Sequence, residues 1–190
     1  GGKAAGGWRR RQQTRAAVRL TIEQILDRLP EQYTLEIFAG KCDAVYQHVF
    51  EQDSITPAKL ETFYKKLPYV SNVTTKPDGL EFDVNDMTVD YKKFQFSQVA
   101  TPAIIQTGKY SGKVTVGVKD GRYRVTVKSI QLTGDNVYKK ITSKENLTTY
   151  ASKNNGTILH PDWCRPNQLG LLDKAFTDRL QFKDQDDSDW

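Results

Sequence analysis

Apolar and polar residues alternate from Lys113 to Lys119 and again from Arg122 to Lys128, with Asp120-Gly121 between the two runs. A period of two marks a half-buried strand. Asp-Gly between such runs is the strongest short-range hairpin signal, because a type I′ turn needs positive φ at both central positions and these residues tolerate it. A two-residue loop then fixes the register: Lys119 faces Arg122, Val118 faces Tyr123, Val116 faces Val125 and Val114 faces Val127. Every apolar pair falls on one face. The other face carries Thr115 with Thr126, Gly117 with Arg124 and Lys113 with Lys128. An antiparallel sheet covered on its valine and tyrosine side is therefore expected. Gly117 opposite Arg124 marks either a bend in the sheet or the close approach of a ligand, the bend being the simpler account.

The rest of the chain supplies the partners. Val18, Ile22, Ile25 and Leu29 recur at helical spacing within Thr14 to Leu29, and Pro30 ends the run. Tyr33 to Phe38 and Ala44 to Phe50 read as strands joined by a turn through Gly40, Lys41 and Asp43. Thr56-Pro57 opens a helix with a capping hydroxyl and a proline at its first position. Leu60, Phe63, Tyr64 and Leu67 give this helix an apolar stripe, and Pro68 stops it. Pro77-Asp78-Gly79 is a turn into alternating segments at Leu80, Phe82 and Val84 and at Met87, Val89 and Tyr91. Residues 97–108 are uncharged and read as a loop or irregular edge. Ile130 and Leu132 shift the apolar parity of the hairpin's second strand, which predicts a bulge near Ser129. The polar, turn-rich residues 133–166 read as a long connection. Leu169, Leu172, Phe176 and Leu180 form the stripe of a last helix that covers the sheet.

The 190 residues, 37% of them hydrophobic, suit one domain with an added arm. No stretch approaches the roughly 18 consecutive apolar residues of a membrane span. The opening Gly-Gly-Lys reads as a processed end, compatible with a removed signal peptide. The net charge of +5 is unevenly distributed: residues 1–20 hold Lys3, Arg9, Arg10, Arg11, Arg15 and Arg19 and no acid, which leaves the other residues at −1. Three spans result: a basic arm with an amphipathic helix and a short strand over 1–40, an α+β domain over 41–182, and an acidic tail over 183–190.

Candidate chemistry is sparse. The chain has no G-x-S-x-G elbow, Walker loop, Rossmann glycine motif, H-E-x-x-H or C-x-x-C pair, and only two histidines. This points away from an enzyme, and no cofactor is expected. Cys42 and Cys164 would, in an exported protein, form one bridge worth ~4 to 5 kcal/mol in the chain-entropy model; in a cytosolic one they would be free thiols, and the sequence leaves both open. Cys42 with His48 and His160 with Cys164 are weak candidates for zinc, because C-x5-H and H-x3-C match no standard ligand spacing. Glu81, Asp83, Asp86 and Asp90 are the candidates for carboxylate chemistry, with Asp83, Asp86 and Asp90 as the centre of a hydrolase reading; the solvent face of a strand produces the same pattern. Asn72-Val73-Thr74, Asn146-Leu147-Thr148 and Asn155-Gly156-Thr157 fit the glycosylation triplet.

The order strand, helix opening at Thr56-Pro57, antiparallel strands carrying the Lys119-Asp120-Gly121-Arg122-Tyr123-Arg124 turn, then a final helix, resembles an uncharacterised bacterial family. That family is described as a domain of unknown function with a TATA-binding-protein-like fold, and the match spans roughly residues 44–182. The resemblance implies a curved antiparallel sheet with helices on one face, in the order β-α-β-β-β-β-α, and proteins often exported to the cell envelope. It implies no activity. The basic arm and the segment 133–166 depart from the family's pattern. The expected function is a non-enzymatic binding module of the bacterial envelope with an unknown protein or envelope component as partner, acting through Lys113, Gly117, Arg122, Arg124 and Lys128. The alternative is a nucleic-acid-binding protein that uses Arg9, Arg10, Arg11 and Arg15 with the same hairpin.

Overall fold

The computed structural model describes residues 35–37, 44–154 and 158–184. Strands β1 (Leu35–Ile37) and β2 (Ala44–Glu51) lead to helix α1 (Pro57–Lys65), followed by β3 (Val70–Lys76) and β4 (Gly79–Thr88). The short helix α2 (Ala103–Gln106) precedes the long hairpin of β5 (Lys109–Lys119) and β6 (Arg122–Asp135). Then come β7 (Lys140–Asn146), α3 (Leu147–Ala151), the short pair β8 (Ser152–Lys153) and β9 (Ile158–Leu159), and α4 (Leu169–Leu180). The strands form an antiparallel sheet in the order β1-β2-β6-β5-β4-β3, with β7 also paired to β6. Within this, β2-α1-β3-β4-β5-β6-α4 is the order expected from the sequence. β1, assigned above to the arm, is hydrogen-bonded into the sheet beside β2.

The β5–β6 register follows the alternation pair for pair, from Lys113 opposite Lys128 to Lys119 opposite Arg122. The turn differs from the expected type I′. Gly121 has φ +70°, whereas Asp120 is absent from the left-handed region, so only the second central position needs a glycine, as in type II turns. The parity change after Val127 is the predicted bulge. Ser129 has φ +52°, and Ser129 and Ile130 together oppose Gly112 alone. Three more register irregularities accompany it: Asn85 and Asp86 of β4 oppose Ser111, Asn72 and Val73 of β3 oppose Phe82, and between β6 and β7 the residues 142–144 oppose Thr133. Asn72 and Asp86 also take positive φ, and the Asp86 amide is held by the buried Ser111 hydroxyl at 3.0 Å.

Two segments read as loops hold regular structure. Residues 97–108 contain α2, whose Ile104 and Ile105 are buried. Residues 133–166 contain the end of β6, then β7, α3, β8 and β9, and bury Ile141, Leu147 and Trp163. Each of these elements is short and anchored by one or two apolar residues, too few to show a period. The triplet at Asn146 is structural: its side chain accepts from the Thr148 amide at 2.9 Å to cap α3, and the buried Thr148 hydroxyl accepts from the Ala44 amide at 2.8 Å.

The core lies between one sheet face and the helices. Tyr46, Phe50, Phe82, Val114, Val116, Tyr123, Val125 and Val127 supply the sheet side. Thr56 caps α1 by accepting from the Lys59 amide, and Leu60, Phe63 and Tyr64 point inward, as the stripe predicted. All four stripe residues of α4 are buried. Tyrosine hydroxyls join the layers. Tyr64 donates to the Leu180 carbonyl at 2.6 Å and Tyr69 to the Arg179 carbonyl at 2.5 Å, Tyr46 pairs with the Thr177 hydroxyl at 2.8 Å, and the Phe182 amide donates to Tyr123 at 2.7 Å. The first two occupy carbonyls at a helix C-terminus that have no partner within the helix.

Tyr64→Phe leaves the buried Leu180 carbonyl without its donor and is expected to lower unfolding free energy by about 1–3 kcal/mol in denaturant titration. Burial raises the Tyr123 hydroxyl from 10.0 to about 12, against the lowering effect of its hydrogen bond from Phe182. Above the ordinary tyrosine range the unfolded chain has lost a proton that the folded one retains, so this hydroxyl's contribution is complete below pH 10 and falls as pH rises toward 12. Denaturant titrations across that window should show a shallower decline for Tyr123→Phe than for the parent chain.

Candidate functional site

Among the described residues, nothing packs on the sheet face away from the helices. Because side chains alternate across the pleat, burying Tyr46, Tyr123, Val125 and Val116 directs Val49, Arg122, Arg124, Gly117 and Lys119 to the opposite side. The β2–β6 register sets Val49 across from Arg124 and Glu51 across from Arg122. On the other flank Gly117 faces Arg124, and Lys119 faces Arg122. The turn at Pro77 and Asp78 closes one side, fixed by a hydrogen bond of 2.8 Å from the Val118 amide to the Asp78 carbonyl. These residues enclose a recess of about 380 Å³ lined by Val49, Asp78, Gly117, Val118, Lys119, Arg122, Tyr123 and Arg124.

Two paired glycines have different reasons to be glycine. At Gly79 a side chain would begin 1.9 Å from the Val116 carbonyl oxygen, so the close strand approach forbids one. At Gly117, its partner across the ladder, a Cβ would meet nothing within 4 Å, and the backbone takes no positive φ. Packing therefore does not explain the missing side chain, which leaves the recess its depth. The neighbouring bases behave unevenly. Lys113 pairs with Asp83 at 3.4 Å and Lys76 with Glu81 at 2.7 Å, whereas Lys119, Arg122, Arg124 and Lys128 form no ion pair among the described residues.

Gly117, Arg122 and Arg124 thus share one recess, while Lys113 and Lys128 pair with each other four residues back along β5 and outside it. Val49, half exposed at 48%, and Asp78 complete the lining. Neither was found from the sequence: Val49 reaches the hairpin through a pairing 75 residues away in the chain, as its partner Arg124 shows, and local alternation carries no trace of that. Arg9, Arg10, Arg11 and Arg15 lie outside the described residues, as do the helix over Thr14 to Leu29 and Cys42.

The other candidates are dispersed. Asp83 accepts from Asn72 and pairs with Lys113, Asp86 sits in the β4 bulge, and Asp90 accepts from the Lys93 amide at 3.2 Å. His48 stands on β2 beside Phe50, with ring centroids 4.4 Å apart, and burial lowers its pKa. Cys164 is a buried free thiol pushed up to about 11 by burial, its sulfur 3.5 Å from the His160 carbonyl oxygen. Among the described residues no three His, Cys, Asp or Glu side chains are grouped to hold a metal ion.

Two solved structures are similar to this chain. One is a DUF4468 family protein from Bacteroides ovatus, at TM-score 0.45 and 16% identity, with 78% of this chain and 92% of that one covered. The other is a TBP-like protein from Parabacteroides distasonis, at TM-score 0.42 and 13% identity, with 75% of this chain and 96% of that one covered. No protein-family profile and no curated protein matches the sequence. The chain itself has an α+β fold, an open antiparallel sheet with helices, as the sequence pattern predicts.

Proposed function

We propose that this chain is a non-enzymatic binding module whose working surface is the bare sheet face around Gly117, Arg122 and Arg124. The observation that carries this reading is Gly117. A glycine inside a strand costs backbone entropy and packs nothing, so a glycine with open space above it and no unusual φ keeps a site open at the expense of stability. Arg122 and Arg124 beside it, which form no ion pair among the described residues, support the same reading. A setting in the bacterial cell envelope belongs to this proposal, as the sequence resemblance implies. No helix among the described residues is long and apolar enough to cross a membrane.

The nucleic-acid alternative has one observation in its favour: Lys119, Arg122, Arg124 and Lys128, on a single hairpin, form no ion pair among the described residues. Two others weigh against it. The strand residues around these bases include no aromatic side chain on the bare face for stacking bases or wedging a duplex, and Glu51, Glu81 and Asp83 interrupt the positive charge on that face.

Gly117→Thr is expected to raise unfolding free energy by about 0.5–1 kcal/mol, read as a higher denaturant midpoint, since a β-former replaces a glycine without a clash. An unchanged or lowered midpoint would remove the argument from Gly117. Titration of duplex and single-stranded DNA should be run at low and at physiological salt on the full chain and on a variant with Arg9, Arg10, Arg11 and Arg15 changed to Gln. Salt-steep binding, if present, should disappear with those arginines; binding that survives their loss overturns the proposal in favour of the hairpin as a nucleic-acid surface.

A further inference from the structure

The recess at Gly117 gathers three basic side chains, Lys119, Arg122 and Arg124, that form no ion pair among the described residues. Lys119 and Arg122 occupy directly opposed positions on β5 and β6, where like charges destabilise a sheet. Arg124 follows Arg122 by two residues, so it points to the same side about 7 Å further along the strand. Against these three cations the lining holds one acid, Asp78. Glu51, across β2 from Arg122, forms no ion pair with it among the described residues. A dianion seated over Gly117 would remove the repulsion, and this makes the strained arrangement useful.

We propose that the recess binds a phosphomonoester, its phosphate between Arg122, Arg124 and Lys119 over the open floor at Gly117 and its organic portion against the exposed Val49. The assignment rests on the binding reading above and deepens it. Guanidinium forks match two phosphate oxygens at once. A phosphomonoester carries close to two negative charges at neutral pH, where a carboxylate carries one, and so fits a cluster of three bases with one acid better. The volume of about 380 Å³ lies in the range of small-ligand sites. The recess reads the phosphate alone, which a free metabolite and a lipid head group share.

The test is amide NMR of the full chain at fixed ionic strength, titrated with glycerol 3-phosphate and, in parallel, with succinate, together with sedimentation against vesicles containing phosphatidic acid. Saturable shifts at residues 117–124 are expected, stronger for the phosphate. Arg124→Gln should weaken the affinity about ten- to hundred-fold, Gly117→Val should block it by filling the recess, and Lys144→Gln should leave it unchanged. Vesicle binding lost in the same two variants assigns the lipid source, and its absence with phosphate binding intact assigns the free one; both uphold the proposal. No saturable shifts at the hairpin, shifts confined to residues 1–20, or succinate bound as tightly as the phosphate would overturn it. Such a result removes the phosphate and leaves the binding face, which falls instead to a Gly117→Thr midpoint that fails to rise or to DNA binding that survives loss of the arm's arginines.

Discussion

The layers of this molecule are held in one relative position by tyrosine hydroxyls. Apolar burial alone is non-directional and would let α4 slide over the valines of the sheet with little change in energy. Hydrogen bonds from Tyr64 and Tyr69 to the last carbonyls of α4, with Tyr46 at Thr177 and Tyr123 at the Phe182 amide, allow one seating of that helix. Each bond satisfies a polar group that would otherwise be buried or orphaned at the helix end. Sliding would therefore break several at once.

With the described helices committed to one side, the other side of β2, β5 and β6 carries residues that the core does not require. Directly opposed bases and an unfilled glycine are tolerated there because the tyrosine-bound core beneath them supplies the stability. The division of labour runs through single strands. In β6, Tyr123 and Val125 serve the core, while Arg122 and Arg124, interleaved with them, serve the open surface.

Much of this was legible in the residues. The hairpin register, the bulge at Ser129, the Thr56 cap and the stripes of α1 and α4 all follow from local rules, and the structure obeys them. The conformation at Asp120 was misread because Asp-Gly permits two positive φ values without requiring them, and this turn takes only one, at Gly121. The segments after Thr133 were misread because elements anchored by a lone Ile141 or Leu147 have no periodicity to detect. For the site, Gly117 and Arg124 stood out as an odd pair within one hairpin. Val49 did not, because its place beside them depends on β2 joining β6 and not some other strand, a choice made by the whole fold.

Three of the four bulges form a slanting line across the sheet, from Asn72 in β3 through Asp86 in β4 to Ser129 in β6, with Ser111 and Gly112 of β5 between the last two. On one side of it lie the turns at Asp78 and Asp120 and the recess between them. On the other side the chain has gathered α2, β7, α3 and the β8–β9 pair. The line works as a seam. A change of length among α2, β7, α3 or the β8–β9 pair is absorbed on that panel, and the strand ladder that shapes the recess on the other keeps its register.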